Sequence, residues 1–446
     1  MRIIQDIQTA KSTLLKRLPA ESVELPPQVK QRIKEAFGKE LAPDEVVRQI
    51  ITNVQMGGDA AVLEYIQKLE GARLTRLEVP EKEITTARNN IEGELLAALQ
   101  TAAERIRDFH QKQRDLLPMG RIELVEGLGQ VIAPLERVGI YAPGGMASYP
   151  STVLMTAIPA RVAGVGEIIL TTPPRPNGHI PPLILAAADI AGVDRVFAIG
   201  GAQAIAALAF GTESIPRVDK ICGPGNIFVM LAKKQVFGAV DIDGLQGPTE
   251  TIVLADDCAN PASCAADLLA QAEHDKLATA IMITTSLELA GEVNAEVELQ
   301  LVGLERRKIA ETSLEQRGGI VVVNYMNEAI QLVNDYAPEH LCLLVRDAES
   351  VAARIRNAGG IFIGESSPEV IGDYMAGPSH VMPTGGTARF SSPLSVTDFL
   401  KITSLIALNK ETVKRLGTKA AVIARAEGLT AHVAAVERRI IQPQSS

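Results

Sequence analysis

Residues 137–141 read Arg-Val-Gly-Ile-Tyr, 167–171 Glu-Ile-Ile-Leu-Thr, 195–199 Arg-Val-Phe-Ala-Ile and 220–222 Lys-Ile-Cys. Each of these short β-prone runs is followed by a longer one of helical character: 151–163, 182–191, 202–210 and 226–236. Strands alternating with helices specify a parallel sheet with helices on its faces, since a parallel connection needs a crossover. A second series of strand-like runs lies near 250–255, 280–285, 319–323, 341–345 and 360–363, again with helical stretches between them. Two such series in tandem suggest duplication.

Outside these series the pattern changes. Residues 1–120 read as helix after helix, with Val46, Val47, Ile50, Ile51 and Val54 at helical spacing and a second amphipathic run from Ile84 to Leu116. Beyond Thr384 a Gly-Gly-Thr-Ala-Arg-Phe-Ser-Ser-Pro linker leads into a purely helical tail, 396–441, too short for its own core. It is therefore expected to pack on another domain or a partner subunit. The expected class is α/β: two tandem incomplete Rossmann-like parallel-sheet domains, a helical N-terminal region and a small helical C-terminal tail. The expected divisions are 1–127 (helical, packing with the second α/β unit), 128–247, 248–383 and 384–446.

Composition agrees with that class. Aromatics make up 3% of the 446 residues and Trp is absent, so cores must be aliphatic, as in parallel sheets. The net charge of −9 argues against nucleic acid or an anionic membrane as main partner. No apolar stretch is long enough to span a bilayer and the N-terminus lacks a signal-peptide pattern, so the cytoplasm is expected. Cys222, Cys258, Cys264 and Cys342 show no Cys-x-x-Cys spacing and read as buried, reduced thiols.

Of six histidines, four stand within or beside acid-bearing motifs: Gln271-Ala-Glu-His274, Pro338-Glu-His340, Asp373 through His380, and Glu427 through His432. Imidazole is a common neutral metal ligand and titrates near working pH, while carboxylates supply anionic ligands or a second base. Gln271 and His274, three apart at a helix end, share one face, although such a pair alone is more often a solvated edge. Glu339-His340 at a helix-to-strand turn fits either two bases in one cleft or a histidine compensating a helix dipole. Gly377-Pro378 makes the third motif turn, and Gly428 is expected to break the helix between Glu427 and His432. His110 and His179, outside these motifs, read as surface residues.

Glycine-rich turns follow the predicted strands at 142–146, 200–203 and 223–226, where backbone N–H groups at helix starts can hold phosphate. No Gly-x-Gly-x-x-Gly, His-Glu-x-x-His, Gly-x-Ser-x-Gly or Walker loop is present.

Taken together, the runs Arg137-Val-Gly-Ile-Tyr-Ala-Pro-Gly-Gly, Gly200-Gly-Ala-Gln-Ala-Ile-Ala-Ala-Leu-Ala, Gly223-Pro-Gly-Asn, Gln271-Ala-Glu-His-Asp, Ala337-Pro-Glu-His-Leu and Gly385-Gly-Thr-Ala-Arg-Phe-Ser-Ser-Pro-Leu-Ser-Val closely resemble histidinol dehydrogenase. The resemblance implies a homodimer with one Zn2+ per subunit that oxidises L-histidinol to L-histidine in two NAD-dependent steps. It implies zinc ligands Gln271, His274, Asp373 and, from the partner's tail, His432. It places Thr249, His380 and Glu427 at the substrate together with those ligands and His340, and NAD against Tyr141, Gln203 and Asn226. His340 would take the hydroxyl proton and Glu339 would activate water for the second oxidation.

Thr249 stands where the family commonly has Ser, and Ser379 where Asn is common; neither change removes a ligand or base. A paralogue acting on another small polar alcohol, such as a sulfonated diol, is the competing enzyme reading. A non-catalytic metal or nucleotide sensor would need ligands but no bases, so retention of Glu339 and His340 argues against it.

Overall fold

The computed structural model describes residues 1–17, 25–144 and 148–441. Its strands, in chain order, are β1 (Ile3–Ile4), β2 (Gly120–Val125), β3 (Leu128–Pro134), β4 (Arg137–Tyr141), β5 (Glu167–Thr172), β6 (Arg195–Ala198), β7 (Lys220–Cys222) and β8 (Asp241–Ile242). They continue with β9 (Glu250–Ala255), β10 (Thr279–Thr284), β11 (Gly319–Val322), β12 (His340–Leu344), β13 (Gly360–Ile363) and β14 (Leu400–Ile406). The chain divides into two units, Met1–Arg114 with Leu135–Phe399, and Asp115–Pro134 with Leu400–Ser446.

The first unit holds two parallel sheets. One has the order β6-β5-β4-β7-β8, the other β1-β11-β10-β9-β12-β13. In each sheet the first strand of its α/β series, β4 or β9, lies centrally, with the next two strands on one side and the last two on the other. This is the order of a Rossmann-type unit, and its recurrence matches the tandem α/β expectation. β9 and β10 are buried at every position, which explains their unbroken apolar runs.

Prolines at the first helical turn start Pro150–Ala163, Pro182–Ala191 and Pro261–Ala272, and left-handed Gly164 and Gly192 end the first two. The alanine-rich helix Gly201–Phe210 is buried on nearly all sides. Helix Pro43–Tyr65 packs on it and on Ile227–Val236. Two N-terminal features differ from expectation. Helix 43–65 sits on the first α/β series rather than the second, and the chain opens with a strand, β1, that pairs with β11. Two residues of strand give too short a period to read from sequence.

The second unit is a three-stranded antiparallel sheet, β14-β3-β2, and two helices, Lys410–Ala426 and Thr430–Ile441. The tail is therefore not purely helical: Leu400–Ile406 pairs along its length with β3. Its exposure, Ile402 and Ile406 included, hid the strand, and its partner lies over 260 residues away in sequence. Gly428, at φ 76°, does separate the two helices. Gly417 lets them approach, because a Cβ there would lie 2.6 Å from the Ile440 side chain.

Two other expectations are corrected. His110 is fully buried, its Nδ1 2.8 Å from the Ile106 carbonyl oxygen, whereas His179 is exposed as expected. Cys258 is exposed, while Cys222, Cys264 and Cys342 are buried.

Candidate active site

Several of the expected site residues gather at the N-terminal edge of the second sheet. His340 opens β12 and pairs in register with Thr251 of β9 and Gly360 of β13. Thr249 and Glu339 precede those strands. Helix Pro261–Ala272, capped by Asn260 on the N–H groups of Ala262 and Ser263, runs back to the same edge and delivers Gln271 fully buried. His274 lies in the turn beyond the helix, not on it. Helix Glu369–Tyr374 presents Glu369 and Asp373, four apart and hence on one face. The chain then turns, with the Arg105 Nε donating to the Met375 carbonyl oxygen at 2.6 Å, and brings His380 Nδ1 to 2.9 Å from the Asp373 carbonyl oxygen.

His340 is the hub. Its Nδ1 is 3.7 Å from both Glu339 Oε2 and Glu369 Oε1, and its Nε2 is 3.6 Å from Asp373 Oδ1. These separations exceed good hydrogen bonds, and both buried ring nitrogens lack a partner. Burial acts to lower the His340 pKa, but the charges of Glu369, Glu339 and Asp373 outweigh it and hold the ring well above its usual value. One ligand atom each from His340, Glu369 and Asp373 lies within 4.8 Å of the others. An imidazole and two carboxylates around such a gap suit a divalent cation.

Neighbouring groups are tuned differently. Glu339 Oε2 accepts from Thr249 Oγ1 at 2.6 Å and Glu250 N at 3.0 Å, and burial pushes its carboxyl up to about 7. Glu369 accepts from Thr251 Oγ1 at 2.5 Å and burial pushes it to about 7 as well. Burial also acts to raise Asp373, yet the surrounding histidines, His340 foremost, hold it below the usual carboxylate value. His274 and His380 are lowered by burial, which favours neutral rings. Cys342 Sγ sits 3.9 Å from Glu369 Oε2 with its thiol held well up by burial, consistent with strand packing rather than nucleophilic use. Gln271, with its amide oxygen accepting from Glu250 N (2.6 Å) and Thr251 N (3.2 Å), directs its nitrogen to Glu369 at 3.2 Å.

The sequence reading missed Glu369. Its signal was available: Pro368 starts a short helix in which Glu369 and Asp373 are one turn apart. The expected ligands Gln271, His274 and Asp373 belong to this first unit, and Asp373 is also in the cation-sized group. Glu427 closes helix Lys410–Ala426 and His432 lies in the first turn of Thr430–Ile441; both are exposed in the second unit.

The other sheet carries the expected cofactor residues. Between β4 and β7 its strand order reverses, and ligands of open α/β sheets bind beyond the C-terminal strand ends at such a point. Tyr141 ends β4 and its Oη accepts from Gly201 N at 3.3 Å. Gln203 Nε2 donates to Glu70 Oε1 at 3.0 Å. Asn226, after β7, caps helix Ile227–Val236 by accepting from Phe228 N and Val229 N. The turn expected at 142–146 lies partly outside the described residues, which lack 145–147.

The histidinol dehydrogenase family model matches residues 34–440. Histidinol dehydrogenase of Dehalococcoides mccartyi (strain CBDB1) is 57% identical over 398 residues, 89% of this chain and 91% of that protein. The Deinococcus radiodurans enzyme is 48% identical over 98% of this chain and 100% of its own. The crystal structure of histidinol dehydrogenase from Elizabethkingia anophelis superposes with a TM-score of 0.88 at 36% identity, covering 99% and 98% of the two chains.

The chain belongs to the histidinol dehydrogenase family. It is an NAD-dependent oxidoreductase of that family. Among its described residues no helix is long and apolar enough to cross a membrane.

Proposed function

We propose that this member of the family oxidises L-histidinol through L-histidinal to L-histidine, using zinc and two NAD, as a cytoplasmic homodimer. The observation that carries the metal part is Asp373, a proposed ligand, which stands in a buried cation-sized group with Glu369 and His340 and is held low by His340 foremost and by the charges of His380 and His274. Residues 128–247 would hold NAD through Tyr141, Gln203 and Asn226. Residues 248–383 would supply Thr249, Gln271, His274, Glu339, His340, Asp373 and His380 to substrate and metal. The tail, 384–446, would lend Glu427 and His432 to the neighbouring subunit's site.

Zinc bound by Gln271, His274, Asp373 and His432 of the partner subunit would anchor the substrate and polarise its oxygen. For Gln271 this ligation means exchanging its backbone hydrogen bonds for the metal. His340 has to act as a neutral base, whereas the three carboxylates favour its protonated form. A cation held at Asp373 would offset part of that charge and so favour the neutral ring. His340 then takes the hydroxyl proton while hydride leaves the same carbon for NAD, giving the aldehyde and one NADH. Glu339, as carboxylate, would take a proton from the water that adds to the aldehyde carbon while protonated His340 returns one to the aldehyde oxygen. Hydride would then leave the hydrate for a second NAD as His340 again takes the hydroxyl proton, giving the acid. Thr249 holds Glu339 in place through its hydroxyl.

Purified protein given limiting L-histidinol and excess NAD is expected to form about two NADH per substrate, to stop after chelation and to recover with zinc. Turnover that persists unchanged through chelation rules out the metal reading, and one NADH with released aldehyde rules out the two-step reading.

A further inference from the structure

We infer that Glu70 is a positioning residue for the dinucleotide: its carboxyl holds the Gly200–Gly201 turn and orients the Gln203 amide toward the cofactor. The inference rests on the NAD reading of residues 128–247.

Glu70 ends a π-helical turn, Ile66–Glu70, that follows helix Pro43–Tyr65 and closes on left-handed Gly71. Such widened turns redirect a side chain relative to a regular helix and recur at functional sites. Here the side chain reaches across to the turn after β6. Glu70 Oε1 accepts from Gly200 N at 3.0 Å and from Gln203 Nε2 at 3.0 Å. Tyr141, from β4, holds the next peptide by accepting from Gly201 N. Two side chains from different elements therefore set the first turn of helix Gly201–Phe210, the one carrying Gln203. Glycine at 200 is required for this approach, since a Cβ there would lie 2.6 Å from Glu70 Oε1 and 2.4 Å from Pro173 Cβ.

Among the described residues the Glu70 carboxyl makes no further hydrogen bond. Its Oε2 and Gln203 Oε1 are both shielded from solvent without hydrogen-bond partners. Two buried, unsatisfied oxygens are costly unless a proton or a ligand donor serves them. Burial pushes the Glu70 carboxyl up to about 8, so near neutral pH it carries that proton. A neutral carboxyl accepts at one oxygen and donates at the other, and a glutamine amide can reproduce this pattern.

The test uses full-length protein carrying Glu70→Ala, Glu70→Asp or Glu70→Gln, with KM measured separately for NAD and histidinol and NAD affinity measured by calorimetry. Glu70→Ala should weaken NAD about tenfold, the worth of one net hydrogen bond, leaving the histidinol KM and kcat within about twofold. Glu70→Asp, which withdraws the carboxyl while disturbing packing less, should move the same way by at least about threefold, and Glu70→Gln should stay near wild type. Unchanged NAD affinity in Glu70→Ala or Glu70→Asp overturns the inference, as does a Gln variant no better than Ala. So does a parallel change in both KM values, the mark of a merely structural role. Wild type that binds no NAD would overturn the NAD reading itself, and the inference with it. Wild type that binds NAD without oxidising histidinol removes only the substrate assignment, and the calorimetric comparison of variants still decides the role of Glu70.

Discussion

The Arg17 guanidinium lies over the Tyr336 ring, 3.7 Å from its centroid, and donates to the carbonyl oxygen of that same residue at 2.6 Å. It also donates to the Ala337 carbonyl oxygen at 3.1 Å and pairs with Glu250. Ala337, at φ 53°, is the one non-glycine residue with positive φ among the described residues. That conformation costs an alanine about 1 kcal/mol, and it aims Pro338-Glu339-His340 into the sheet edge. An N-terminal arginine thus braces the strained turn in front of both proposed bases. Arg17→Met should lower stability by about 2–3 kcal/mol, since it strands Glu250 and two carbonyls. The urea midpoint of unfolding measures this; an unshifted midpoint would show that the turn holds without the arginine.

Lys233 and Asp243 form an ion pair with side chains only 2% and 1% exposed. Both backbone groups of Gly223 are tied to it: Gly223 N donates to Asp243 Oδ2 at 2.7 Å, and Lys233 Nζ donates to the Gly223 carbonyl oxygen at 3.0 Å. Lys233 Nζ also reaches Gln246 Oε1 at 2.7 Å, linking the turn before Asn226 to the segment before Thr249. Lys233→Met leaves a buried carboxylate without a counter-charge and should cost about 3–5 kcal/mol. Adding Asp243→Asn should restore part of that loss. Additive losses in the double variant would show that the two charges do not act as a pair.

Asp267 precedes Gln271 by one turn on helix Pro261–Ala272, and burial pushes its carboxyl from 3.8 to about 6. A raised carboxyl favours folding while protonated: that stability is present below about pH 4 and is lost as pH rises through 6. Above pH 6 the ionised group costs about 2–3 kcal/mol. Asp267→Asn should therefore raise the melting temperature at pH 8 and leave it almost unchanged at pH 4. Equal shifts at both pH values would place the effect in packing instead of ionisation.

How much of this was legible beforehand depended on whether a feature was local. The α/β alternation could be read because β4, β5, β9 and β10 are buried aliphatic runs. Glu339 and His340 could be read because they adjoin a helix-to-strand turn. Strands β1 and β14 could not, since one has two residues and the other is exposed along nearly its whole length, and only remote partners make them strands. His110 looked like a surface residue within a charged helix, yet it is fully buried, covered by chain far away in sequence around Leu394. Glu70 was missed for the same reason: it is an ordinary acidic residue in its own segment and meets the Gly200 backbone only in the fold. Glu369 shares a helix face with Asp373 that the sequence already offers, yet its approach to the His340 ring is made only by the fold.

Glu339 offers the sharpest division between the two oxidations. Only its carboxylate can take a proton from water, and burial holds it up near 7, so aldehyde oxidation should rise with pH through about 7. Stability runs the other way: the contribution of this raised carboxyl is full below about pH 4.5 and is lost as pH passes 7. Glu339→Gln keeps the shape and a hydrogen-bond acceptor for Thr249 but removes the base. It should slow oxidation of L-histidinal by about 10²–10⁴-fold and abolish that pH limb, while histidinol still reduces one NAD and aldehyde is released. The same variant should be more stable than wild type above pH 7, because no buried charge forms. Stopped-flow NADH formation from each substrate, followed by melting curves across pH, separates these effects. Wild-type rates on L-histidinal in the Gln variant would remove Glu339 from the chemistry and leave it as an anchor for the Thr249 hydroxyl.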